Sequence, residues 1–160
     1  MSTSFSDFAS LATLHRELEE LFLQHQDALL DRDLPLAAQR LERYEAALRP
    51  HLEAEEALLL PVFSRAERIR GASPELFTGE HQRLLEFLAR FRAELRALEP
   101  GSAGLGRGVL RLLDAETTFK HLSHHHELRE ETYFFPALDR VTDEAERREL
   151  LAAFTARVAG

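Results

Sequence analysis

The stretches HLEAEEALLLP, residues 51–61, and HELREETYFFP, residues 126–136, carry one pattern twice. Each has a His, a pair of acids beginning four residues later, and a Pro ten residues after the His. On an α-helix, positions i and i+4 stack on one face, so His51 with Glu55 and His126 with Glu130 can point at the same ion. A further His precedes each copy, His15 before the first and His81 before the second. The chain therefore offers the unit His…His-x3-Glu twice. Four His and two Glu without Cys form the donor set that a carboxylate-rich two-metal centre requires, and four-helix bundles build such centres from facing helices.

Composition narrows the alternatives. With 160 residues the chain fits one domain, residues 1–160, long enough to bury a sizeable core. It is rich in Leu, Ala, Glu and Arg and poor in Val and Ile, which favours helix over sheet. The formal net charge is −8 and the basic residues are interleaved with acids, so the surface has no reason to attract nucleic acid or an anionic membrane. Absence of Cys excludes disulfides, iron–sulfur clusters, thiolate zinc sites and thiol nucleophiles. The start, MSTSFSDFAS, lacks a basic region followed by an apolar run, and no stretch approaches the length of a membrane span. A soluble, cytoplasmic protein is expected.

Apolar spacing predicts five helices and an all-α fold. The first runs from about Ser6 to Asp31, with Leu11, Leu14, His15, Leu18, Phe22 and Leu29 on one stripe. Asp33-Leu34-Pro35 opens the second, which continues to about Arg70 and stops at Gly71. Ser73-Pro74 starts the third, carrying Phe77, His81, Leu84, Leu88, Phe91 and Leu95. Glu99 to Gly108 holds four of the seven glycines and reads as a flexible connection. The fourth helix spans roughly Val109 to Arg140. Thr142-Asp143-Glu144 reads as the cap and acidic first turn of a shorter fifth helix. Four long helices joined by short loops form an up-down-up-down bundle, and the additional C-terminal helix closes one end or contacts a partner.

This topology brings the histidines together. His15 and His81 lie near the starts of helices one and three, and His51 and His126 lie about halfway along helices two and four. Since alternate helices run in opposite directions, these levels can meet inside the bundle. A Glu on the core face beside a His argues for an ion, because a buried, unpartnered carboxylate is costly. Glu56 and Glu131 point about 100° away from their neighbours and read as solvated groups or as groups that orient a ligand imidazole.

In the run His121, His124, His125, His126, only His126 reproduces the offsets of the first copy. His121 and His125 form an i, i+4 pair that could bind a surface metal or supply a replacement for His126, but the other three read as a partly exposed, pH-responsive face, and His25 as structural. Tyr44 and Tyr133 each lie seven residues from a motif His, two turns away, where either could line the cavity or simply pack in the core. Pro61 and Pro136 lie inside their helices, so kinks are expected there, and Pro50 should bend helix two further.

The set His15, His51-x3-Glu55, His81 and His126-x3-Glu130 resembles the hemerythrin-like (HHE) cation-binding family across the whole chain. The resemblance implies a non-haem di-iron centre in a four-helix bundle, with two glutamates bridging the metals and a separate oxo or hydroxo bridge beside them. Imidazole and carboxylate also suit Zn or Mn. The oxygen-carrying hemerythrins have an extra His four residues after the third-helix His, where this chain has Leu85, and an Asp five residues after the fourth-helix His, where Glu131 stands. The four-His, two-Glu set is more similar to the bacterial iron-centre repair and nitric-oxide-response branch, which usually carries a Cys-containing N-terminal domain absent here. Two six-coordinate ions need about twelve bonds, and this donor set leaves about two positions open. Such a centre suits binding or reaction with a small oxidant (O2, peroxide or NO). The alternative is a non-enzymatic module: an oxygen or redox sensor, or an iron store or donor, signalling to a partner or a second copy through the fifth helix.

Overall fold

The computed structural model describes residues 5–160; the first four, part of the stretch read as carrying no leader, lie outside the described residues. Among the described residues the fold is all-helical. A short 3-10 turn, Ala9–Leu11, leads into α1 (Ala12–Leu30). Next, α2 (Leu34–Ala54) runs through a π-helical turn, Glu55–Leu59, into α3 (Leu60–Phe63). After α4 (Pro74–Arg96), α5 (Leu105–Arg129) runs through a second π-helical turn, Glu130–Phe134, into α6 (Phe135–Val141). The fifth rod is α7 (Glu144–Ala159). Both α1 and α4 pack against α2 and α5, closing a four-membered ring, and α7 docks on α2 and the first π turn.

Three helix starts follow their caps. The carboxylate of Asp33 accepts from the Leu36 N–H, the Ser73 hydroxyl from the Leu76 N–H, and the Asp143 carboxylate from the Glu146 N–H. Each satisfies one of the N–H groups that a helix leaves without an internal partner. Pro35 and Pro74 occupy first-turn positions, where no N–H is needed.

Three boundaries differ from the expected ones. The first helix begins at Ala12 rather than Ser6, because Asp7 accepts from the Ser10 N–H at 2.8 Å and closes a separate local turn. The second rod ends at Phe63, not Arg70: Arg65 and Ala66 bond back to Val62 and Phe63 three residues earlier, tightening the chain out of the helix. The fourth begins at Leu105, so Gly106 and Gly108 are helical rather than part of a flexible connection. Gly108 is needed for close packing, since a Cβ there would stand 2.6 Å from Leu98 Cδ2.

The expected kinks at Pro61 and Pro136 take the form of the π turns. The Leu60 N–H bonds the Glu55 carbonyl, and the Phe135 N–H bonds the Glu130 carbonyl, each five residues back. One extra residue per turn just before the Pro absorbs the lost N–H and rotates the following side chains. Pro50 lies inside α2 without interrupting it.

Buried apolar side chains form two clusters. One contains Leu18, Phe22, Leu48, Leu84, Phe91 and Phe119; the other contains Phe8, Leu11, Leu59, Phe77, Phe134 and Phe154. The histidines fall at the border, His15 between Leu11 and Leu18 on α1, and His81 between Phe77 and Leu84 on α4. The second cluster is closed by α7, whose Leu151 and Phe154 are buried. At its start Glu146 takes both arms of Arg65 at 2.8 Å. No helix among the described residues is long and apolar enough to cross a membrane.

Candidate metal centre

His15, His51, Glu55, His81, His126 and Glu130 come together from four rods, and all six are buried. The two Glu occupy the first position of the two π turns, one turn after their His partners. Each carboxylate stands between two imidazoles. His51 Nε2 lies 2.7 Å from Glu55 Oε1 and His81 Nε2 lies 3.1 Å from Glu55 Oε2. His126 Nε2 lies 2.9 Å from Glu130 Oε1 and His15 Nε2 lies 3.0 Å from Glu130 Oε2. The rings pair edge-on, His15 with His51 at 5.5 Å and His81 with His126 at 4.8 Å.

The contacts are short, yet all four carboxylate oxygens, and Nε2 of His15, His81 and His126, are buried without a hydrogen-bond partner. Buried polar atoms are rarely left unpaired, because each costs about 1–3 kcal/mol. Their lone pairs converge on a common space, which is what a cation needs and a hydrogen-bond network does not. Donor atoms of Glu55, His81, His126 and Glu130 all lie within 4.8 Å of one another, as do those of His15, His51 and Glu55. The residues present fit two metal ions.

Outer carboxylates hold the imidazoles. Glu56 Oε1 lies 2.8 Å from His81 Nδ1, Glu80 Oε2 lies 2.7 Å from His126 Nδ1, and Glu131 Oε1 lies 3.4 Å from His15 Nδ1. A proton donated from Nδ1 leaves the Nε2 lone pair facing inward. Glu80 is itself held by Arg129, whose Nε donates to the Gly71 carbonyl at 3.0 Å. Gly71 has a φ of +81°, the left-handed conformation that glycine adopts most readily.

Without a cation the centre is a set of ion pairs. Burial opposes charge on His15, but the Glu130 carboxylate outweighs it and raises the imidazole to about 9. His126 is pushed well above the usual imidazole range against the same burial penalty, chiefly by Glu130, and His81 is raised by Glu55. Burial would push both carboxyls up, yet His51 and His81 draw Glu55 below the usual range, and His126 and His15 draw Glu130 well below it. Two buried carboxylates thus stay ionised in the interior, held by positive charge.

A family model described as "Hemerythrin HHE cation binding domain" matches residues 7–115 and 72–157. The chain belongs to this hemerythrin family. Comparison with curated proteins and with solved structures gave no significant match. In this hemerythrin-like chain the first match contains His15, His51 and Glu55, the second contains His126 and Glu130, and His81 falls in both.

The remaining histidines and tyrosines separate clearly by burial. His121, His124 and His125 are exposed while His126 is buried. Tyr133 is 40% exposed, so it does not line the centre; the shift of register in the π turn carries it outward. Tyr44 is buried against Phe22 and Phe119 and lines a cavity of about 70 Å³ with Ser123 and Glu127. His25 is structural: its Nδ1 donates to the Ala37 carbonyl at 2.8 Å and its Nε2 meets Glu116 at 2.7 Å. Sequence reasoning missed Glu80 and Glu116, although a signal existed. Glu80 falls in the stripe Phe77, His81, Leu84, and Glu116 falls between Leu112 and Phe119, each an acid on an apolar face.

Proposed function

We propose that His15, His51, Glu55, His81, His126 and Glu130 would hold two iron ions, and that the loaded centre reacts with a small oxidant. The observation that carries this reading is the convergence of unpaired, buried carboxylate oxygens and imidazole nitrogens on one space. Two iron ions bound there would supply the electrons for reduction of O2, peroxide or NO.

The chain's own residues prepare the site. Glu55 and Glu130 bring two negative charges into an interior that excludes water, where their attraction for cations is strongest. Phe135 stacks on His15 with centroids 5.9 Å apart, Phe154 stands edge-on to His51 at 5.4 Å, and Phe77 covers His126 at 6.0 Å. These rings keep solvent from the donor atoms. Glu127, beside His126, accepts from the Ser123 hydroxyl at 3.2 Å, and burial pushes its carboxyl above the usual range. Its carboxyl oxygen can hold a proton at the wall of the cavity that Tyr44 lines. Leu85, half-buried near His81, offers no donor, so ions held there would keep positions for an external ligand.

Stopped-flow mixing of reduced, iron-loaded protein with O2, peroxide and NO tests the proposal. A saturable absorbance change with at least one oxidant, faster than with free ferrous ion, is expected. Reaction no faster than free ion, or a stable O2 adduct formed and released over many cycles, would overturn it.

A further inference from the structure

We propose, resting on that two-metal reading, that the two positions are unequal: the His81/His126 position binds its ion first and more tightly, and the His15/His51 position is the exchangeable one. The two halves of the centre repeat each other in their inner donors but differ in what holds them.

Both histidines of the first position are oriented by close carboxylates. His81 Nδ1 meets Glu56 at 2.8 Å and His126 Nδ1 meets Glu80 at 2.7 Å, with Arg129 fixing Glu80 in turn. In the second position the support is weak. His15 meets Glu131 at 3.4 Å, a longer contact than either of those, while Glu131 and Glu56 are equally exposed at 45% and 44%. His51 Nδ1 is buried and has no partner among the described residues. None of them selects the tautomer that leaves the His51 Nε2 lone pair free, and Phe154 from α7 presents only a ring to it.

The difference has a source in the sequence. Glu80 immediately precedes His81 on α4 and reaches across to His126 on α5. The corresponding residue before His15 on α1, the rod beside α2 and His51, is Leu14. The repeated centre thus has an outer carboxylate in one half and an apolar side chain in the other. The four donors of the first position also lie within 4.8 Å of one another, whereas the second meets that spread only without Glu130, although Glu130 Oε2 lies 3.0 Å from His15 Nε2. Outer partners of ligating imidazoles are worth about 10–100-fold in metal affinity, which sets the expected gap between the positions.

Calorimetric and visible-absorption titration of metal-free protein with Co2+ under nitrogen tests this. Two binding phases separated by about 10–100-fold are expected, with His126→Ala removing the tight phase and His51→Ala the weak one. Glu80→Ala should weaken the tight phase until the phases merge, and Glu80→Gln, which still accepts a hydrogen bond from Nδ1, should restore most of the gap. Leu14→Glu should tighten the weak phase; the Glu80 variants decide the matter whether or not Leu14→Glu folds. Two equivalent ions in the wild type, loss of the tight phase in His51→Ala, or no effect of Glu80→Ala would overturn the inequality while leaving the two-metal centre intact. Absence of any Co2+ binding would instead sink the underlying metal reading.

Discussion

Replacing Glu130 by Gln removes one charge and keeps the shape, so it isolates the electrostatics of the centre. In metal-free protein the rise of His15 from 6.5 to about 9 corresponds to about 3 kcal/mol of stability. A histidine whose folded-state value lies above its unfolded one gives that stability in full below about 6.5 and loses it as pH rises through about 9. Near pH 6, Glu130→Gln should therefore cost about 3–5 kcal/mol, the range for breaking one side of a buried ion pair. Near pH 10 the His15 share, about 3 kcal/mol, should be gone, leaving only the cost of the pair with His126, whose imidazole Glu130 also holds well above its usual range. Urea unfolding of chelator-treated protein at the two pH values, with m-values compared, measures both. Equal losses at both pH values would refute the ion-pair account of this cluster.

The other predictions concern the metal, the outer carboxylates and the packing. Glu55→Ala should lose bound metal, whereas Glu56→Ala should retain it with about 10–100-fold lower affinity, as metal analysis after dialysis against graded chelator would show. Metal binding should displace protons from the histidines, so affinity should fall as pH is lowered from about 9; calorimetry in buffers of different ionisation enthalpy counts the protons released. Phe154→Ala should cost about 3–5 kcal/mol in chemical denaturation, because the ring is fully buried where α7 meets His51. Gly79→Ala, in an exposed stretch of α4 with open space around its Cα, should raise stability by up to about 1 kcal/mol in thermal melts and leave metal content unchanged.

Much of the architecture was legible because local signals agreed. Caps at Asp33, Ser73 and Asp143, and apolar stripes on the long rods, placed the helices. Offsets between His51 and Glu55, and between His126 and Glu130, placed inner residues that the fold does bring together. What escaped depends on contacts distant in sequence. Glycines 106 and 108 suggested flexibility until the approach of Leu98 gave Gly108 a packing role. The π turns needed the bond from Leu60 back to Glu55, and from Phe135 back to Glu130, which a helical wheel of fixed period does not contain. Tyr133 was misplaced for that reason. Glu80 bonds a histidine 46 residues away, a partner that helix periodicity alone does not identify.

Anomalous diffraction from crystals of metal-loaded protein tests the dinuclear centre most directly. Two peaks about 3.5–4 Å apart are expected between Glu55 and Glu130, one beside His15 and His51, the other beside His81 and His126. A lone peak on the exposed His121 and His125 face, with nothing between the two buried carboxylates, would contradict it.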